Sequence, residues 1–107
     1  MLVRIPVIGG GPPKLRPALL TSILPGPYQN LLLCGISTVL REQQPDWDEL
    51  MQPADADFKR SGLHQVSIVR LSYLYAAEQS EIAGTIGRID RDRLERLQAR
   101  LSEHLQP

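Results

Sequence analysis

The run Leu31-Leu32-Leu33-Cys34-Gly35-Ile36-Ser37 constrains the fold more than any other stretch of the chain. It has the length of a strand and no polar alternation, the pattern of a strand covered on both faces. Such a strand belongs at the centre of a sheet. Upstream, Leu15 to Ile23 reads as another strand, and Leu24-Pro25-Gly26-Pro27, continued by Tyr28-Gln29-Asn30, cannot be regular structure. Strand, Pro/Gly loop and strand together read as a long hairpin. Met1 to Ile8 reads as the first strand, ending in the Gly/Pro-rich turn from Gly9 to Pro13. Pro6 makes that strand an edge strand or bends it.

Downstream of the central run the character changes. Gln43-Gln44-Pro45 breaks the sheet, and Asp46 to Met51 is predicted as a short helical turn with acidic residues near its start. Trp47, Leu50 and Met51 would then share one face and cap the core. Asp55 to Phe58 is polar with Phe58 as an anchor, and Ser61-Gly62 signals a turn. Val66 to Tyr75 returns to strand composition, and a short strand is expected near Ile82 to Ile86, beside Gly84 and Gly87. Asp90 is a suitable N-cap for a closing helix whose stripe is Leu94, Leu97, Leu101 and Leu105. The pairs Asp92/Arg96 and Arg91/Glu95 are four apart and contribute about 0.2–0.5 kcal/mol each at most. The 107 residues therefore read as one domain, mainly β with a C-terminal α-helix. A small, strongly bent antiparallel sheet or barrel accommodates that order.

Twelve basic and twelve acidic residues cancel, so net charge argues for no particular partner, although a local basic groove survives a neutral total. Cys34 is the single cysteine, which rules out an internal disulfide and fits a reducing compartment. Cys34, His64 and His104 show no metal-ligand spacing. Arg4 and Pro6 interrupt the apolar residues at the N-terminus, so no secretion signal is expected. The central apolar run is far too short to span a bilayer. The expectation is a soluble, cytoplasmic protein.

Chemistry enters at Lys14-Leu15-Arg16-Pro17-Ala18-Leu19-Leu20, where a Gly/Pro-rich turn meets an apolar run. Pro17 disfavours helix at the residue before it, which keeps Arg16 extended at a strand entrance or loop edge. A guanidinium held there offers planar, permanently charged donors to a phosphate or a carboxylate. A solvated Arg beside a turn is the alternative.

Four features in order resemble the PemK/MazF family of toxins from bacterial toxin–antitoxin systems. These are Leu15-Arg16-Pro17-Ala18-Leu19-Leu20, the apolar strand ending Gly35-Ile36-Ser37-Thr38, Asp57-Phe58 with Gly62-Leu63 and Ser67, and Ile86-Gly87 leading into an amphipathic helix. The likeness covers nearly the whole chain. It implies an SH3-like β-barrel with a C-terminal helix, usually a homodimer. The implied activity is endoribonuclease cleavage of single-stranded RNA without metal or cofactor. By position, Arg16 and Ser37 match the family's catalytic Arg and Thr or Ser, with Thr38 the substitute if the register is off by one. The implied reaction is attack by the ribose 2′-OH, leaving a 2′,3′-cyclic phosphate and a 5′-OH. The implied partner is a small antitoxin with an acidic, partly disordered tail.

The chain departs from the family where Gln and Arg are frequent, in the strand after Ser67: Tyr73 and Tyr75 stand there. The Gly-Asp that commonly precedes the family's first strand is absent. A Tyr can stack on a base or pack a core or interface. His64 can serve as acid or base or be an exposed structural residue. Lys14 and Arg70 can add positive charge to a groove or face solvent. Cys34 reads as a small core residue and His104 as a partner of the helix dipole. A second reading of the same barrel is a non-catalytic module that binds and inhibits a protein target, as a topoisomerase poison does, or a family member that has lost catalysis.

Overall fold

The computed structural model describes residues 1–7 and 14–106; the turn expected from Gly9 to Pro13 lies outside them. The elements are β1 (Leu2–Val7), β2 (Lys14–Ile23), β3 (Leu31–Ser37), β4 (Glu49–Met51), α1 (Phe58–Ser61), β5 (Ser67–Ala77), β6 (Gly84–Gly87) and α2 (Arg91–Leu105). The strands form one antiparallel sheet in the order β4-β5-β3-β2-β1-β6. The apolar run is a central strand, as its composition requires, and β2 and β3 form the expected hairpin.

Pro6 and Pro17 both lie within strands, yet neither leaves a ladder bond unmade. Leu20 N–H donates to the Met1 carbonyl at 2.9 Å, which fixes the alternation of the β1–β2 pair. Val3/Ala18 and Ile5/Arg16 are then hydrogen-bonded pairs, whereas Arg4/Pro17 and Pro6/Leu15 are not. On the far flanks, β3 joins β2 only from Ala18 onward, and β6 leaves β1 after Arg4. Each proline faces a side that asks for no N–H.

Two apolar clusters cover the two faces. The larger one packs Leu2, Leu19, Cys34, Val69 and Leu71 of the sheet against Met51, Phe58, Ile89 and Leu97. The smaller one holds Val3, Ile5, Ala18, Leu31, Leu33 and Ala77. Cys34 is fully buried, and burial pushes its thiol up to about 12; it is an inert core residue. The helix stripe divides, with Leu97 and Leu101 buried, Leu94 half-buried and Leu105 exposed beyond the core.

The segment predicted as a helical turn from Asp46 to Met51 is instead a turn followed by the edge strand β4. Asp48 explains why. Its Oδ2 accepts from Gln44 N–H at 2.8 Å, and its Oδ1 accepts from the Ser72 N–H and hydroxyl at 3.0 and 2.9 Å. The carboxylate is thus spent across the fold, and Glu49 to Met51 pair with Val69 to Ser67. Leu50 and Met51 consequently point to opposite faces, and Met51 is buried. The last strand falls at Gly84–Gly87, two residues later than Ile82, and β5 runs on to Ala77.

Asp90 occupies the N-cap position of α2, but its side chain makes no capping bond there. It pairs with Arg60 instead. Among the described residues neither Asp92/Arg96 nor Arg91/Glu95 forms; Arg96 and Arg100 both reach Glu49. Arg93 goes further inward. Its Nε and Nη2 grip both oxygens of Asp57 at 2.8 and 3.0 Å, and it also meets Glu49 and Asp55. This cluster ties α2 to β4 and to the segment entering α1.

That segment ends at Gly62, which has φ +80° and caps α1. A Cβ on Gly62 would lie 2.1 Å from the Ile86 carbonyl oxygen, and one on Gly87 would lie 2.2 Å from that of Arg60. Backbone meets backbone here, which only glycine allows. The loop after α1 is thereby seated against β6.

Candidate functional site

The site lies where two central strands part. Ala18 of β2 pairs with Gly35 of β3, and Gly35 pairs with Arg70 of β5. Directly opposite residues share a face, and residues two apart along a strand share it too. Arg16, Gly35, Ser37 and Arg70 therefore project from one face. Two residues beyond Ala18/Gly35 the same register would set Arg16 opposite Ser37, but the β2–β3 ladder stops first. β2 continues along β1 and β3 continues along β5. A groove of about 820 Å³ opens between them.

Arg16, Ser37, Thr38, His64 and Arg70 all line this groove, together with Arg4, Glu42, Tyr73 and Tyr75. Lys14 is exposed near the start of β2 and is not part of the lining. The His64 wall follows Gly62, so the glycine contact with β6 positions it. Arg4, Glu42, Gln65 and Glu81 are polar or charged groove residues that sequence reasoning did not single out. Arg4 was visible only as an interruption of an apolar strand, and Glu42 only as one residue of a polar excursion.

The polar geometry centres on Ser37, Glu42 and Arg70. Ser37 Oγ accepts from Val39 N–H at 3.0 Å and donates, over a long 3.5 Å, to Glu42 Oε2. Arg70 Nη1 donates to the same Glu42 oxygen at 3.2 Å. Arg70 Nε is buried without a partner among the described residues, a condition that costs about 1–3 kcal/mol. Arg4 and Arg16 are exposed and enter no ion pair among the described residues. Arg16 stands opposite Ile5 and Arg4 opposite Pro17, so the two guanidiniums leave opposite faces of the β1–β2 pair, and Arg16 is the one that shares its face with Ser37. An anion placed between Arg16 and Ser37 meets positive charge and a hydroxyl donor together.

Tyr75 is half-buried, and burial pushes its phenol up to about 12, so it remains protonated and serves as a neutral hydrogen-bonding or packing group. Arg70 lies over the Tyr73 ring, 5.4 Å from guanidinium carbon to centroid. His104 lies far from the groove, stacked on Trp47 at 4.2 Å with Nε2 2.7 Å from the Asp46 carbonyl oxygen.

Fold and groove together define a mainly β protein with a C-terminal helix and a basic, hydroxyl-bearing cleft beside its central strand. No helix among the described residues is long and apolar enough to cross a membrane. Comparison of the chain with protein-family models and with curated proteins finds no match.

Proposed function

We propose that this chain is an endoribonuclease that cuts single-stranded RNA without a metal, the toxin of a toxin–antitoxin pair of the PemK/MazF kind. One observation carries the reading. Arg16 and Ser37, which the resemblance marks as catalytic, project from one face into the gap where β2 leaves β3.

In the proposed reaction the 2′-OH attacks the adjacent phosphorus and the bond from phosphorus to O5′ breaks. The products carry a 2′,3′-cyclic phosphate and a 5′-OH. Arg16 offsets the charge that grows on the phosphorane, the kind of preorganised donor whose loss costs about a hundredfold to a thousandfold in rate. The Ser37 hydroxyl turns its proton from Glu42 to a phosphate oxygen while Val39 N–H holds its lone pair. Glu42, Glu81 and His64 are groove side chains able to take the proton from the 2′-OH and return one to O5′.

The register shifts in the β1–β6, β2–β3 and β3–β5 pairs bend a sheet as a small barrel requires, which supports an SH3-like barrel. The Arg16 guanidinium would receive a carboxylate as readily as a phosphate. That favours an antitoxin whose acidic tail competes for the groove in the cytoplasm, with the toxin acting as a homodimer.

The reading is tested with an RNA that wild-type protein cuts and a copy carrying a single 2′-deoxy sugar at the cut position. Cleavage in EDTA with cyclic phosphate ends, abolished by that one sugar, is the expected result. Equal cleavage of both strands refutes 2′-OH attack. Absence of cleavage by folded protein moves the groove to a non-catalytic binding role.

A further inference from the structure

We infer that Tyr73 is a nucleobase-stacking platform, the element of this groove that grips a base while the arginines grip the backbone. The inference rests on reading the groove as an RNA site. It starts from a fault in the ladder. Cys34 pairs with Leu74 but Gly35 pairs with Arg70, so Leu71, Ser72 and Tyr73 are extra residues on β5 with no partner on β3. Freed from pairing, this bulge needs another source of hydrogen bonds, and the buried Asp48 carboxylate supplies it to the Ser72 N–H and hydroxyl. The fold therefore buries an acid to hold a bulge, and the bulge re-aims the next side chain, Tyr73.

Tyr73 lands in the groove lining and stays 52% exposed, whereas Tyr75 packs against the smaller core cluster. A core role suits Tyr75 and leaves Tyr73 unexplained. The ring of Tyr73 is nevertheless fixed. Tyr75 meets it edge-on at 5.7 Å and 69°, and Arg70 covers it at 5.4 Å. Gly35 lets it close in, since a Cβ there would sit 3.1 Å from Tyr73 Cδ1. A held aromatic, half open to solvent, in a groove also lined by Arg4 and Arg16, which make no ion pair among the described residues, has the two parts that single-strand recognition uses: a stacking face and a cationic track.

The test uses a short single-stranded oligodeoxynucleotide, which lacks the 2′-OH and cannot be cut by the proposed route, with binding read by fluorescence anisotropy. Wild type and Tyr73→Phe should bind alike. Tyr73→Leu and Tyr73→Ser should each bind at least about fivefold more weakly, the low end of a lost base–aromatic stack. An abasic site is then moved along the oligonucleotide. At one position it should weaken wild type and leave Tyr73→Leu unchanged. Equal losses on intact and abasic strands, wild-type binding by both truncations, or no binding by wild type each overturn the platform. RNA cleavage in EDTA is scored separately on the same proteins. Cleavage without Tyr73-dependent binding rejects the platform alone, and Tyr73-dependent binding without cleavage rejects the ribonuclease alone.

Discussion

Replacing Arg93 with Met should remove the strongest polar tie between the closing helix and the rest of the fold. Met keeps an apolar stem of similar reach and deletes the guanidinium. Glu49 retains Arg96 and Arg100, and Asp55 is open enough to be rehydrated, so neither dominates the loss. Asp57 does. Its side chain is only 4% exposed, and without Arg93 it keeps the Asp90 N–H at 3.0 Å as its one hydrogen-bond donor. Removing one partner of such a buried pair costs about 3–5 kcal/mol, a large share of the roughly 5–15 kcal/mol that holds a domain together. For a chain of this size each kcal/mol moves the melting temperature by about 4–8 °C, so a fall of at least about 12 °C is expected. Urea titration of Arg93→Met, Asp57→Asn and the double variant separates the causes. The double variant should lose at least about 1 kcal/mol less than the sum of the single losses, because the stranded charge is gone. A single-variant loss under about 1 kcal/mol, or strict additivity, would refute the reasoning.

Two further outcomes follow from the same scaffold. Gly62→Ala forces a Cβ to within 2.1 Å of the Ile86 oxygen at φ +80° and should cost about 2 kcal/mol or more, read as a lowered urea midpoint; an unchanged midpoint would mean the contact with β6 can be given up. Burial by itself would raise the Glu49 carboxyl, but the Arg96 hydrogen bond and the charges of Arg96, Arg93 and Arg100 outweigh it and hold it below its ordinary 4.5. The folded state therefore binds fewer protons than the unfolded one in that range, so this contribution is complete above 4.5 and fades as pH falls below it. Urea midpoints taken down through that range should drop in wild type and drop less in Glu49→Gln.

What could be read from the chain is what local chemistry decides. Six residues in a row without a polar side chain, Leu31 to Ile36, fix a central strand whatever surrounds them, and Leu97 and Leu101 face the core because a helix repeats every three to four residues. Arg16, Ser37 and His64 reach one groove because each stands near a strand end or beside a turn, and Arg70 because it pairs with Gly35 on the same face. What escaped is set by distant partners. Asp48 resembles a helix-start acid until Ser72 claims it from across the fold. Arg93 stands four residues before Leu97, on the buried stripe, and only the approach of Asp57 makes a guanidinium tolerable there. The three extra residues of β5 leave no mark in an alternating pattern, yet they decide where Tyr73 points. Glu42 enters the groove through its pairing with Arg70, twenty-eight residues away.

The most direct test of the proposed activity is the cleavage rate of a long single-stranded RNA in EDTA by wild type, Arg16→Ala and Ser37→Ala. Arg16 is exposed and makes no ion pair among the described residues, so its removal should leave the urea midpoint unchanged and slow cleavage about a hundredfold or more. Ser37→Ala should slow it less, by roughly the worth of one hydrogen bond to a charged oxygen, about tenfold to a hundredfold. Fragments that appear at the wild-type rate with Arg16→Ala would contradict the assignment of the groove as the catalytic site.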